Sequence, residues 1–261
     1  MVIPRGFFYG DLKLESEEKE GVILLTWNNR TTSLIETRTM NYKIVNDEKR
    51  LIDFIDWLPE LADNEKFYCA LLSRKKYAEV WNTKSDKSHL KRFLTDKEKM
   101  LNKIRQLEVK VGEYKLFGTE VDEKSLALYI NPNPRDLHKA TYNGIIEFTK
   151  LLRDENKSYN PHAEILSCIQ RSVGNKVYLD FDIDYKPFDV ATLDPFINRE
   201  AITILETRGG YHILVELKKI EPEYKSKFYQ GIKSLNVDQT GDQLIPIPGC
   251  IQGGFVPRFL N

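Results

Sequence analysis

Aspartates stand at positions 180, 182 and 184, directly after a short apolar run. Because side chains alternate across a β-strand, Asp180, Asp182 and Asp184 are expected to share one face of a strand. Carboxylates this close repel one another unless a cation neutralises them, and Mg²⁺ or Mn²⁺ prefers such oxygen ligands. Two such ions about 4 Å apart can bind the attacking and leaving oxygens of a phosphoryl displacement. The spacing predicts a two-metal site for phosphoryl transfer; the alternative is the solvent-facing side of a half-buried strand.

A histidine lies in a second strand-like segment, residues 211–217. The β-rich runs on either side of Arg208, Gly209 and Gly210 are typical of a tight hairpin. The apolar residues of the second run alternate into a core, so His212 is expected on the opposite face, where the carboxylates would also project. The two glycines would let a phosphate approach the backbone closely. A lone strand histidine is more often structural, but the neighbouring turn favours a functional role.

A third acidic segment, residues 237–242, offers two further carboxylates. Asp238 follows an apolar residue just beyond a predicted helix, whereas Asp242 follows Gly241 and lies nearer the next predicted strand. Either could supply a third metal ligand. Taken alone, this segment is a weak indication, because aspartate-rich turns before strands are common.

Together, these three segments resemble the motifs of the archaeo-eukaryotic primase superfamily, which includes viral and plasmid primase-polymerases. The family's Asp-x-Asp motif matches Asp180 and Asp182, and its small-x-His strand motif matches Gly210 and His212. Its third, apolar-Asp motif matches Asp238 best, with Asp242 as the rival. Residues 245–249 are also similar to the Arg-x-Pro-Gly stretch of many viral members, although Pro246 stands where arginine is frequent. The resemblance covers residues 177–254.

The resemblance implies a template-dependent nucleotidyltransferase, a DNA primase or primase-polymerase that serves phage, plasmid or other mobile-element replication. It implies two Mg²⁺ or Mn²⁺ ions as cofactors. The implied partners are a single-stranded DNA template and primer, an NTP or dNTP, and a separate replicative helicase. The chain carries neither a cysteine-rich zinc module nor a helicase domain, so strand extension is favoured over unaided priming.

The resemblance also implies roles for individual residues. Catalysis and metal binding are assigned to Asp180, Asp182 and Asp238, with Asp242 as a further metal ligand. Nucleotide binding is assigned to Thr207, Arg208, Gly210 and His212. The implied fold is an α/β N-terminal unit packed on a C-terminal unit related to the RNA-recognition motif.

Two other classes of function are compatible with parts of this pattern. A replication-initiation or nucleic-acid-binding module could keep the fold without the activity, and its DNA binding would ignore divalent ions. A sugar-nucleotide transferase could use Asp-x-Asp for a metal-bound diphosphate, but this leaves the strand around His212 unexplained.

The charge pattern bears on nucleic-acid binding. The formal net charge of the 261-residue chain is zero, which counts against coating of duplex DNA by bulk charge. Residues 66–110, however, contain thirteen Lys or Arg and five Asp or Glu. We predict that this region contacts nucleic acid, through Lys91 and Arg92 above all; the alternative is a solvated helical surface.

The sequence contains no apolar run near the roughly 20 residues needed to cross a bilayer, and no signal-peptide pattern. Its three cysteines are widely spaced, which argues against a disulfide framework. These features predict a cytoplasmic protein that does not associate with a membrane.

The elements around the motifs predict an α+β fold, with helices packed on mainly antiparallel sheets. We expect residues 1–110 to form N-terminal strands and a basic helical region. Residues 111–261 are expected to form the primase-polymerase-like catalytic core, within one continuous domain. Lys87 to Val109 is predicted to be helical in two pieces, the second starting at a capping box of Thr95 and Glu98. The other predicted helices lie within 48–61, where the apolar stripe stops at Pro59, and over 136–153 and 223–235. The other predicted strands are 67–72, 125–130, 176–183, 201–206 and 211–217.

Overall fold

The computed structural model describes residues 40–78, 85–153, 158–239 and 243–260, together with the backbone of three strands nearer the N-terminus. These three strands form an antiparallel sheet in chain order, and they agree with the N-terminal strands expected within residues 1–110. They are β1 (Leu14–Lys19), β2 (Val22–Trp27) and β3 (Arg30–Glu36). The described chain as a whole is a mixed α+β fold with antiparallel sheets, in agreement with the predicted class.

The largest sheet has five strands and joins residues from both halves of the chain. Its order is β13-β8-β4-β5, and β9 pairs with β4 outside this path. The pairing of β4 with β8 crosses the expected division at residue 110, so the segments on either side of it share one sheet. A separate hairpin is formed by β6 and β7. The strands are β4 (Glu65–Arg74), β5 (Lys87–Thr95), β6 (Lys115–Leu116), β7 (Thr119–Glu120), β8 (Leu126–Ile130), β9 (Arg135–Asp136) and β13 (Ile245–Pro246).

A four-stranded antiparallel sheet carries the motifs. Its order is β10-β12-β11-β14, so β12 lies beside both β10 and β11. The strands are β10 (Tyr178–Ile183), β11 (Ile202–Glu206), β12 (Tyr211–Glu216) and β14 (Arg258–Leu260).

Both faces of the four-stranded sheet are buried. On one face, Tyr178, Leu205 and Leu214 join the large core formed with β4, β8 and the first two helices. On the other face, Phe181 and Ile213 join a second core with the C-terminal helix. The helices are α1 (Glu48–Trp57), α2 (Lys97–Arg105), α3 (Leu137–Arg153), α4 (Pro161–Arg171) and α5 (Phe228–Lys233). The carboxylate-bearing face therefore looks toward the first half of the chain.

The prediction of a helix beginning at Lys87 is wrong. Residues 87–95 form β5, and their exposure alternates with the period of a strand up to Lys91. Eight residue pairs with the buried strand β4 fix this conformation, so tertiary pairing outweighs the local helical pattern. The helix that follows starts at Lys97. Its cap is Asp96, whose carboxylate accepts a hydrogen bond from the Lys99 amide at 3.0 Å, and not Thr95.

Other predicted elements agree with the structure more closely. Helix α1 ends at Trp57, just before Pro59, as its apolar stripe predicts. Asp136 precedes α3 and accepts a hydrogen bond from the Lys139 amide at 2.9 Å, as an N-cap does. The C-terminal helix is shorter than the expected 223–235 and begins only at Phe228. Within the described residues, no helix has the length and apolar character needed to span a membrane.

Candidate functional site

The acidic face is built across three neighbouring chain segments. Asp182 of β10 lies directly opposite His212 of β12 in the antiparallel register. On its other side Asp182 forms a β-bridge with Asp238, with amide-to-carbonyl distances of 2.7 and 2.9 Å. Directly opposed residues of antiparallel strands project to the same face. Asp238, Asp182 and His212 therefore form one row across the sheet, and Asp180 lies on the same face two residues along β10.

His212 and Asp180 form a buried pair at the centre of this face. The Nδ1 atom of His212 lies 3.0 Å and 3.1 Å from the two carboxylate oxygens of Asp180. Its Nε2 atom lies 3.8 Å from Oδ1 of Asp182. Asp180 is only 4% exposed and His212 only 7%, so the Asp-x-Asp segment is not the solvent-facing side of a strand. The prediction that His212 faces the carboxylates is confirmed.

The pKa values of His212 and Asp182 are shifted by burial and by the neighbouring charges. Burial acts to lower the pKa of His212, but Asp180, Asp182 and Asp184 outweigh it, so that this pKa is raised. The imidazolium form is therefore favoured between the carboxylates. Asp182 is affected in the opposite sense: burial raises its pKa, Asp184 and Asp180 add to the effect, and His212 opposes it. The face thus holds more negative charge than a single histidine neutralises.

The hairpin turn between β11 and β12 has the predicted position. The Thr207 amide donates to the Gly210 carbonyl at 3.0 Å, and the Gly210 amide donates to the Thr207 hydroxyl at 3.1 Å. A Cβ atom added at Gly210 would lie 1.7 Å from the Ile183 carbonyl oxygen. Glycine is thus required at 210 because the backbone of β10 passes so close, which differs from the phosphate approach expected for it. At Gly209, by contrast, an added Cβ would meet no atom of the residues that the structure describes within 4 Å.

A cluster of cations borders the acidic face, and the sequence analysis did not single out two of its members. The guanidinium of Arg208 lies 4.7 Å from the ring centroid of Tyr77, and the Lys76 ammonium lies 5.3 Å from the same ring. Arg74 donates to the Tyr129 hydroxyl at 3.0 Å. We call Arg74, Lys76 and Arg208 the cation cluster. Arg74 and Lys76 belong to the basic region 66–110, whose charge excess was the available signal; nothing local distinguished them within it.

The charges of the cluster act on one another and on the acidic face. Burial lowers the pKa of Lys76, and Arg74 and Arg208 lower it further, whereas Asp184 and Asp182 raise it. Lys76 is therefore electrostatically coupled to the carboxylates and to two like charges. Two hydrogen bonds hold Arg208 in place. Its backbone amide donates to the Gln252 side chain at 2.8 Å, and its guanidinium donates to the Gly253 carbonyl. Such a cluster favours a bound anion.

The remaining predicted residues lie as follows. Lys91 and Arg92 are on β5; Lys91 is exposed and lines a small cleft with His89 and Tyr114. The Arg92 guanidinium packs against α4, 3.4 Å from the Ser167 hydroxyl. Their role in nucleic-acid binding stays a prediction. Asp238 is exposed at the end of the row, whereas Asp242 lies outside the described residues.

The donor set of this face fits a divalent ion by its chemistry. Asp180, Asp182 and Asp238 supply hard carboxylate oxygens, and burial, together with Asp184 and Asp180 nearby, raises the pKa of Asp182. Among the residues described, however, no three acidic, histidine or cysteine side chains are arranged as a ready metal site. Both Asp180 oxygens are instead directed at His212. Metal binding would require the Asp180–His212 contact to change.

Comparison with known proteins gives no match to any family model, to any curated protein or to any solved structure.

Proposed function

We propose that this protein is a template-dependent nucleotidyltransferase of the primase-polymerase kind, dependent on Mg²⁺ or Mn²⁺. The observation that carries the proposal is the row of Asp238, Asp182 and His212 across adjacent chain segments, with Asp180 on the same face. The order of these residues along the chain matches the three motifs of the archaeo-eukaryotic primase superfamily. The proposed finer fold is accordingly the primase-like core, with its RNA-recognition-motif-like unit in the second half of the chain.

The cation cluster supports a phosphate-bearing substrate. Arg74, Lys76 and Arg208 bring three positive charges beside the carboxylates, and a nucleoside triphosphate carries the complementary charge. The neighbouring carboxylates account for a metal requirement, because without a cation they would repel the same triphosphate. A nucleoside triphosphate that binds together with divalent ions therefore complements both the cation cluster and the carboxylates of the acidic face.

Each residue of the face has a distinct part in this proposal. Asp180, Asp182 and Asp238 would hold the divalent ions, which supply neutralisation of the charge that develops during displacement at the α-phosphate. His212, whose pKa is raised by the neighbouring aspartates, would donate a charge-assisted hydrogen bond to a phosphate oxygen. Before a metal ion binds, Asp180 would orient the imidazole through its contact with Nδ1; on metal binding this contact would change.

The test is primer extension on a primed single-stranded template, with Mg²⁺ or Mn²⁺ and either dNTPs or NTPs. Asp180→Asn and Asp182→Asn keep the side-chain shape and should lower the incorporation rate by about 100-fold or more. Asp53→Asn removes an exposed carboxylate of α1 and serves as the control, which should extend like the parent protein. Undiminished extension by either site variant would overturn the two-metal assignment.

One observation favours a second candidate, a non-catalytic nucleic-acid-binding module of the same fold. Both oxygens of Asp180 lie within hydrogen-bonding distance of His212, an arrangement that is stable without a metal. Such a module would bind single-stranded DNA equally well with Mg²⁺ or with a chelator and would incorporate no nucleotide. The extension assay and a binding assay in chelator separate the two candidates.

A further inference from the structure

A group of four aromatic rings, of which Tyr185 is exposed and the other three are half-buried, lies at the end of the four-stranded sheet, just beyond the acidic face. Its members surround the residues that follow β10 and the turn before β14. They are Tyr185, Phe188, Tyr211 and Phe255, together with the cations Lys186 and Arg258. We call these six residues the aromatic rim.

The rim is held together by one lysine and one carboxylate. The Lys186 ammonium lies 4.8 Å from the ring centroid of Phe255 and 5.5 Å from that of Tyr211. It also contacts Glu206 at 2.8 Å, and Arg258 contacts the same carboxylate at 2.7 Å. Burial acts to raise the pKa of Glu206, but the hydrogen bonds from Lys186 and Arg258 lower it, so Glu206 is ionised at neutral pH. One anion thus fixes two cations, which leaves one excess positive charge among Lys186, Arg258 and Glu206.

Tyr185 is the most accessible ring of the rim. The residue is 42% exposed, although its edge-to-face contact with Phe188, at 6.2 Å between centroids, fixes the ring on one side. Arg258 is likewise half-exposed, with 51% of its side chain accessible. Added Cβ atoms at Gly209 and Gly254 would meet no atom of the described residues within 4 Å. A ligand could therefore contact Tyr185 and Arg258 from solvent.

The rim is continuous with the candidate site. Tyr185 follows Asp184, whose charge raises the pKa of both His212 and Lys76. The cross-strand pairs of Glu206 with Tyr211 and Arg258 place the rim on the opposite face of the sheet from His212. Both surfaces meet at the hairpin turn, where Arg208 belongs to the cation cluster. A ligand on the rim would thus reach the acidic face around the end of the sheet.

We propose that the aromatic rim binds single-stranded nucleic acid without sequence preference. An exposed ring such as that of Tyr185 can stack on any base, and the neighbouring Lys186 and Arg258 side chains can contact the phosphates. The small net charge argues against a duplex, whose binding depends on many phosphate contacts. The inference rests on the proposed function for one point only, that the bound strand is the template or primer of the reaction. It assigns this contact to a surface other than Lys91 and Arg92.

The experiment measures binding of a fluorescent oligo(dT) of about 16 nucleotides by anisotropy, in chelator and without nucleotide. Tyr185→Ala should weaken binding about tenfold, as expected for the loss of one stacked base, and Tyr185→Phe should bind like the parent. Tyr142→Ala, which removes an exposed tyrosine of α3, is the matched control and should have no effect. Each variant must melt at the temperature of the parent protein.

Two results would overturn the proposal. The first is parental affinity in Tyr185→Ala together with parental affinity in Lys186→Gln. The second is displacement of the oligonucleotide by polyglutamate at equal charge concentration. This would show that negative charge alone, as in an acidic peptide, is enough for binding to the rim. Asp182→Asn separates this inference from the proposed function. If Asp182→Asn still extends primers, the proposed function fails while the rim result stands. If Asp182→Asn no longer extends primers but Tyr185→Ala and Lys186→Gln both bind like the parent, the rim fails alone.

Discussion

Replacing Gly210 with alanine tests whether the hairpin turn is set by its contact with β10. The new Cβ would lie 1.7 Å from the Ile183 carbonyl oxygen, 2.8 Å from its carbon and 3.1 Å from the Tyr185 amide nitrogen. All three neighbours are backbone atoms, so no side-chain rotation can relieve the overlap. The turn or the end of β10 must move by about 1 Å or more, which is the kind of displacement that overpacking produces.

The expected cost follows from what that movement breaks. Overpacking strain contributes about 1–3 kcal/mol. The two hydrogen bonds between Thr207 and Gly210, at 3.0 and 3.1 Å, would lose geometry at about 1 kcal/mol each. The sum is about 4 kcal/mol, which for a chain of this size corresponds to a decrease of about 10 °C in Tm. Because His212 is two residues away, primer extension should be lost as well.

Urea denaturation and thermal melting of Gly210→Ala and Gly209→Ala provide the comparison. Gly209 has open space for a Cβ, so its alanine variant should stay within about 0.5 kcal/mol of the parent. A Gly210→Ala protein that melts within about 2 °C of the parent would refute the reasoning, since the clash would then cost less than about 1 kcal/mol. Equal destabilisation of both variants would show that flexibility of the turn matters and the contact does not.

Three further outcomes are expected. Burial and the neighbouring aspartates raise the pKa of Asp182, so the folded state is destabilised as the pH rises above the pKa of this carboxyl in the unfolded chain. Asp182→Asn should therefore raise Tm at pH 7 in chelator but leave it unchanged near about pH 3. An unchanged Tm at both pH values would contradict this expectation. Asn133→Ala removes a buried side-chain oxygen that accepts hydrogen bonds from the backbone amides of Val177 and Tyr178 at 2.8 Å each. It should lower the free energy of unfolding, measured by urea denaturation, by about 3 kcal/mol. A loss under about 1 kcal/mol would show that these backbone amides find other partners. Lys76→Gln should weaken nucleoside triphosphate binding several-fold in calorimetric titration, whereas Lys75→Gln, an exposed neighbour, should not; equal affinities would remove Lys76 from the phosphate site.

The strands that carry the acidic face could be predicted because their sequence pattern is local. Alternation places Asp180 and Asp182 on one face, and the hairpin through Gly210 brings His212 opposite to them. The row is completed by Asp238, whose bridge to Asp182 joins segments more than fifty residues apart. The apolar residue before Asp238 was the only local indication of that position.

The parts that could not be predicted depend on contacts between distant segments. Residues 87–95 have the composition of a polar helix, and only pairing with β4 makes them a strand. Lys76 resembles every other lysine of the basic region until the end of β4 brings it near Asp182. Nothing in the sequence analysis singled out Asn133, yet its side chain fixes the start of β10 through hydrogen bonds over 44 and 45 residues.

Two cations of the candidate site, Arg74 and Lys76, come from a different sheet than the carboxylates. Arg74 ends β4 and Lys76 follows it, whereas Asp180 and Asp182 belong to β10. A polyphosphate that contacts both groups would act as a non-covalent crosslink between the two sheets, so ligand binding and folding of the chain would be one linked equilibrium. At a ligand concentration of about 100 times Kd, this linkage contributes about 2.7 kcal/mol to the free energy of unfolding. Both sheets would then unfold together at a higher temperature, which makes thermal stabilisation a direct screen for the true nucleotide substrate.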